Sequence, residues 1–202
     1  MGKKPVIVAI TGASGAPYAI RLVESLLAAG EAVDLLISTA GRLLLREECD
    51  FIVDADEGLA RQTLQERFGQ AAPEQLRYYG IDNWYSPLAS GSGGRRQMVV
   101  CPCSMGTLAA IAHGLSDNLI ERAADVVLKE GGELTLVPRE TPLSAIHLEN
   151  MLKLARLGVA IIPAAPGFYQ RPQSVDDMVN FMVMRIMEKL DSPMVGVKPW
   201  GE

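Results

Sequence analysis

Five short, mainly apolar runs recur along the 202-residue chain, each closed by a turn of small residues or proline before a helical pattern begins. They are Pro5–Ile10, Val33–Ile37, Met98–Pro102, Leu134–Pro138 and Val159–Pro163. Apolar runs without polar alternation suit strands covered on both faces, which is the condition of a parallel sheet between two helical layers. The intervening stretches agree: Ala16 to Ala29 sets Ile20, Val23, Leu26 and Leu27 at helical spacing, Leu43 to Leu45 lead a second helix towards Glu48, and Asn118 to Glu130 reads as an amphipathic third. Strands alternating with helices predict an α/β chain, a single doubly wound, mostly parallel sheet flanked by helices. Residues 1–202 read as one domain, with no internal repeat. The turn-rich stretch from Gly80 to Arg96 has no period and is expected to be a functional or disordered loop, its Gly93–Arg96 end flexible and exposed. A tail over 191–202, with Trp200, is expected to dock on its own subunit or on a neighbour.

Composition narrows the partners. With 49% hydrophobic and 21% charged residues the chain has ample core material. It carries 19 basic and 24 acidic side chains, a formal charge of −5, with no basic block, which argues against nucleic acid and anionic membranes. The opening Met-Gly-Lys-Lys precedes an apolar run too short for a signal peptide, and no run approaches the roughly 20 residues of a membrane span. Three cysteines, an odd number, fit a reducing compartment; the expectation is a cytoplasmic protein with a small ligand.

In an open parallel sheet, ligands bind outside the carboxyl ends of the strands, where strand order reverses. The segments at that edge are Thr11–Pro17, Ser38–Gly41, Pro102–Thr107, Pro138–Pro142 and Pro163–Tyr169. Most are rich in Gly, Ser and Thr, and those with Ser14 and Ser104 open helices, whose N-termini favour phosphate. Neither G-x-G-x-x-G nor a Walker lysine follows the first strand, so a mononucleotide is favoured over a dinucleotide or ATP. Arg122, Lys129, Arg139 and Arg185 lie near or between these loops and point to a second anion. For Arg122 and Lys129 the bland alternative is an ordinary solvated helix face; for Arg139 it is a structural ion pair. Cys101-Pro-Cys103 lacks a zinc spacing, His113 and His147 have no recognisable ligand set, and no G-x-S-x-G elbow supports a serine triad.

The strings Thr11–Ala16, Ala89–Ser92, Cys101–Thr107, Asn118–Asp125, Leu136–Pro142, His147–Leu152 and Pro163–Tyr169 together resemble the flavin prenyltransferases of the UbiX type, in the family's order along nearly the whole chain. The resemblance implies a Rossmann-like or flavodoxin-like subunit of a dodecamer. Its reaction would join a dimethylallyl group from dimethylallyl phosphate to N5 and C6 of reduced FMN, without a metal, giving prenylated FMN for UbiD-type decarboxylases. It further implies an FMN site of Gly12, Ala13, Ser14, Ser38, Ser104, Met105, Gly106, Thr107 and Arg139. The prenyl phosphate would be held by Lys129, Arg139, Tyr169 and Arg185, with Arg122 reaching across a subunit interface and Trp84 and Trp200 as aromatic walls. Ser14, Glu48 and Glu140 would serve proton transfer, with Glu140 ranked first because two prolines fix its loop, whereas Glu48 reads equally as a solvated helix end.

That assignment is chemically coherent. Breaking an allylic C–O bond leaves a departing phosphate, and a cage of Lys129, Arg139, Arg185 and the Tyr169 hydroxyl would stabilise its charge. Whether the donor is a mono- or pyrophosphate stays open. Two rivals share the fold: an FMN-dependent cysteine-type decarboxylase, whose Pro-Ala-Ser-Ala-Asn-Thr loop differs from Pro102–Thr107, and a non-catalytic flavin carrier, which would have no use for Lys129, Tyr169 and Arg185 around a second anion.

Overall fold

The five apolar runs all become strands in the computed structural model, which describes residues 4–68, 74–192 and 194. In chain order the elements are β1 (Val6–Ile10), α1 (Ala16–Ala28), β2 (Val33–Ile37), α2 (Thr39–Cys49), α3 (Glu57–Phe68), β3 (Leu76–Tyr79), β4 (Gln97–Cys103), α4 (Met105–Ala112), α5 (Leu119–Lys129), β5 (Glu133–Pro138), α6 (Ala145–Arg156), β6 (Ala160–Ile161) and α7 (Val175–Lys189). The strand order is β3-β2-β1-β4-β5-β6 and every pairing is parallel, the Rossmann-like arrangement.

Successive residues of β1 feed opposite faces of the sheet, as the period of two requires. Val6, Val8 and Ile10 join a core with α1, α2, α3 and α7; Ile7 and Ala9 join a second with α4, α5 and α6. Leu22 and Leu26 of α1 are fully buried, each contributing about 2 kcal/mol by leaving water.

Several expectations are corrected. β4 runs through Pro102 to Cys103 instead of stopping at the proline, its register with β5 shifting between Val100 and Cys103. β6 keeps only Ala160 and Ile161 of the expected run, because it is an edge strand paired on one side. Glu57–Phe68 and Leu76–Tyr79 are a helix and a strand the apolar pattern did not announce. The Gly80–Arg96 segment is ordered by Leu88, fully buried in the α5 layer, and by short turns over Pro87–Ala89 and Gly91–Gly93 whose first amides are capped by Ser86 and Ser90. Its Gly93–Arg96 end is anchored, not free. The Lys4 ammonium holds the Gly93 carbonyl, Arg95 Nε donates to the Gly131 carbonyl at 2.6 Å, and Arg96 is only 11% exposed.

Arg96 is buried because of Asp34, an acid inside the apolar run of β2. Its carboxylate is wholly buried and accepts from Arg77 Nε at 2.8 Å and Arg96 Nη1 at 3.2 Å. Burial pushes the Asp34 carboxyl up from its ordinary value, and the two guanidiniums oppose that. The ion triad joins β2, its register partner on β3 and the entry to β4. Residues 193 and 195–202 of the expected tail, Trp200 among them, lie outside the described residues.

Candidate flavin site at the strand switch point

The chain leaves β1 towards β2 on one side and β4 towards β5 on the other, so the segments after β1 and β4 diverge and open a crevice at the carboxyl edge. Its floor is closely built. A Cβ on Gly12 would come within 2.5 Å of Ala40 Cβ, and one on Gly41 within 2.6 Å of the Ile10 carbonyl oxygen, so only glycine lets the segments after β1 and β2 touch. Thr11 ties the other side, through hydrogen bonds to Pro102 and Ser104.

Glu48 closes the crevice from below. Although exposed as a residue, its carboxylate Oε2 accepts from the Gly15 amide at 2.8 Å and the Ala16 amide at 2.9 Å, and the Ser14 side chain also bonds to it. The N-cap of α1 is therefore Gly15, without side-chain help of its own, and an internal carboxylate fills the helix N-terminus where a phosphate was expected. Burial raises the Glu48 carboxyl pKa, but the bonds from Gly15, Ser14 and Ala16, with the Arg139 charge, outweigh it and hold the pKa below the ordinary 4.5. A depressed carboxylate stabilises the fold above that ordinary pKa and loses the contribution as pH falls through the folded value. The melting-temperature gap between the protein and Glu48→Gln should thus be widest near neutral pH and close below pH 4.5; a gap unchanged across that range would refute the assignment.

Two helix starts remain for an incoming anion. Ser38 caps α2, accepting from the Gly41 amide at 2.9 Å, and Ser104 caps α4, accepting from the Thr107 amide at 3.2 Å and bonding to the Thr107 hydroxyl at 3.0 Å. The leading amides of each helix have no intrahelical partner. Ala13 and Met105 are buried, Gly12 and Gly106 exposed, Ser14 and Thr107 half-buried. Small residues on the segments after β1 and β4, with backbone donors and hydroxyls among them, fit a flavin mononucleotide.

Arg139, half-buried after β5, reaches into this crevice and donates from Nε to the Ser14 carbonyl at 3.2 Å. Glu140 stands at the exposed rim, accepting from the Thr141 amide at 3.0 Å. Tyr169 is 48% exposed, its ring edge-on to Phe181 with centroids 5.4 Å apart. Arg185 is exposed and pairs with Glu188 at 2.5 Å, and Trp84 is 46% exposed beside the fully exposed Tyr85. The single chain does not gather the other cations. Arg122 pairs with Asp125 at 2.7 Å and donates to the Ala89 carbonyl at 3.0 Å. Lys129 pairs with Glu130 at 2.5 Å where α5 returns to the start of β5, about 20 Å along that strand from Arg139.

Burial pushes the Cys101 thiol up to about 12 and raises the Cys103 thiol as well, so both stay neutral inside β4. Among the described residues no group of three His, Cys, Asp or Glu could hold a metal ion, and no helix is long and apolar enough to cross a membrane. Sequence reasoning passed over the Thr11 hydroxyl; a polar residue at the very end of a buried run was the available signal.

Residues 1–187 match the Flavoprotein family. The flavin prenyltransferase UbiX of Pseudomonas aeruginosa is 50% identical over 201 residues, which cover 100% of this chain and 96% of that protein. Among solved structures, AnUbiX in complex with FMN and dimethylallyl pyrophosphate superposes with a TM-score of 0.86 at 34% identity, covering 100% of this chain and 99% of that one. A dodecameric FMN-dependent UbiX-like decarboxylase from Escherichia coli O157:H7 also gives 0.86, at 36% identity over 98% of this chain and 100% of that one. A match over residues 1–187 and half-identity over the full length, on a fold with its crevice at the strand switch point, lead to one conclusion: the chain belongs to the flavoprotein family and, within it, to the flavin prenyltransferases of the UbiX type.

Proposed function

We propose that this chain transfers a dimethylallyl group from dimethylallyl phosphate or pyrophosphate to N5 and C6 of reduced FMN, and that the product serves UbiD-type decarboxylases in the cytoplasm. The observation that carries this reading is the crevice floor, where Glu48, Ser14 and Arg139 meet below the β1 and β4 segments. The flavin, when bound, supplies the nucleophilic nitrogen and ring carbon. The chain supplies position, charge and proton transfer.

Gly12, Ala13, Ser14, Ser38, Ser104, Met105, Gly106, Thr107 and Arg139 are proposed to line the flavin. Arg139, Tyr169 and Arg185 grip the donor phosphate, because a leaving group of growing negative charge is best stabilised by preplaced cations and a hydroxyl donor. Arg122 and Lys129 complete that cage from a neighbouring copy, since α5 carries them away from their own crevice. This makes the homo-oligomer, proposed as a dodecamer, part of the catalytic unit. Trp84 and Trp200 are proposed as walls for the prenyl chain. Glu48, charged throughout the neutral range, orients Ser14, and Glu140 at the open rim accepts the proton released as the new ring closes. The chain acts as one flavin-binding domain, its tail docking on itself or on a neighbour.

The test is anaerobic incubation with reduced FMN and either donor, without added metal, followed by mass spectrometry of the released flavin. A flavin heavier by one C5 unit is expected. Unmodified flavin with both donors, despite measured flavin binding, would overturn the reading.

A further inference from the structure

We infer that Thr11 is a positioning residue for flavin binding, its hydroxyl setting the spacing between the segments that follow β1 and β4. The inference rests on the reading of this crevice as the flavin site. Thr11 is 1% exposed at the end of a run of wholly apolar strand residues, a place where valine would fill the same volume. Its hydroxyl is nevertheless used twice. Oγ1 donates to the Pro102 carbonyl at 2.8 Å and accepts from the Ser104 amide at 2.8 Å, while the Thr11 amide donates to the same carbonyl at 3.2 Å.

The need for this bridge lies in β4. Its register with β1 is continuous through Ala9 and Val100, Pro102 has no amide to donate, and its pairing with β5 is irregular between Val100 and Cys103. Past Val100 the ladder gives way, and the Thr11 hydroxyl takes over where the crevice begins. Its second partner, Ser104, is the N-cap of α4, so the amide that Thr11 holds belongs to the residue whose hydroxyl fixes Thr107. Thr11 acts on the flavin indirectly, through Ser104 and the leading amides of α4.

The experiment measures FMN affinity, thermal melting and both Michaelis constants for the full-length protein, Thr11→Val, Thr11→Ser and, as a control, Leu64→Ala, which opens a cavity under α3. Thr11→Val should weaken FMN binding by about tenfold, since it leaves the Ser104 amide without its partner and the Pro102 carbonyl with the Thr11 amide alone. KM for flavin should rise with that for the prenyl donor unchanged, and Thr11→Ser, which keeps the hydroxyl, should stay within about twofold of the parent. Leu64→Ala should lower the melting temperature without weakening FMN, because α3 packs against the edge strand β3, with β2 between that strand and β1. The inference fails if Thr11→Ser binds FMN as poorly as Thr11→Val, or if Leu64→Ala weakens FMN as much at equal loss of melting temperature. Failure of Thr11→Val to fold leaves the decision with Thr11→Ser, for which parental affinity supports the bridge and a tenfold loss refutes it. A parent protein that binds no FMN would instead overturn the flavin reading itself, and this inference with it.

Discussion

Prenyl transfer by Arg139→Ala should be at least about 100-fold slower than by the parent protein, the scale seen when a preplaced donor to developing negative charge is removed. Three effects combine. The donor cage loses a cation, the Ser14 carbonyl loses its 3.2 Å partner, and Glu48 loses the positive charge that helps hold its carboxyl down. The last has a definite sign. With less opposing charge, the Glu48 pKa climbs back towards its ordinary value, so the acid limb of the rate profile should move to higher pH in the variant. Arg139→Lys should fall between, because an ammonium restores charge near Glu48 without a fork that serves Ser14 and phosphate together. Anaerobic steady-state rates against pH, with thermal melts to confirm folding, decide it. A change under about threefold would remove Arg139 from the site.

The second large effect is on stability. Asp34→Ala should cost about 3 kcal/mol, because it strands two guanidiniums placed to meet a wholly buried carboxylate. Arg77, 41% exposed, can turn to water, but Arg96 at 11% cannot do so freely, which sets the loss near the lower end for broken buried pairs. For a chain of this length the melting temperature should drop by roughly 6–12 °C. FMN affinity should be nearly unchanged, since Asp34 sits near the amino end of β2 and the crevice lies beyond its carboxyl end. Removing the buried cation too, as Asp34→Leu with Arg96→Met, should recover most of the loss, because an apolar filling replaces an unpaired charge. A loss below about 1 kcal/mol in Asp34→Ala would mean that water reaches Arg96 unaided.

Elements differ in how plainly the residues announce them. β1, β2, β4 and β5 are buried almost throughout, which favours mainly apolar runs, so each was visible as one even though β2 carries the buried Asp34 and β5 the buried Thr135. β3 was not, because its Leu-Arg-Tyr-Tyr alternates between buried and half-buried positions at the sheet edge and resembles many loops. α3 escaped for a related reason: only Ala60 and Leu64 are buried, too few to mark a helical period. Asn118 and Glu130 bracket α5 as expected, since an asparagine cap and an amphipathic face are both local signals.

The crevice divides in the same way. Its place at the carboxyl edge, and the Gly, Ser and Thr residues around it, follow from strand–turn–helix order, because a βα turn is built from neighbours in the chain. That Glu48 reaches back 33 positions to cap α1 does not, and neither does the Thr11 bridge across 93 positions to Ser104. Position along the chain also failed to decide which cations share a site. Arg122 and Lys129 fall between edge loops, yet α5 carries them to partners of their own, and Lys129 to the opposite edge of the sheet. Apolar pattern and turn chemistry act over a few residues and sufficed for the four inner strands, the helices beside them and the candidate edge for binding, but not for β3 and α3. Which acid meets which amide, and which cation faces which anion, depends on a separation in space that only the packed sheet creates, because a hydrogen bond forms over about 3 Å whatever the number of residues between its partners.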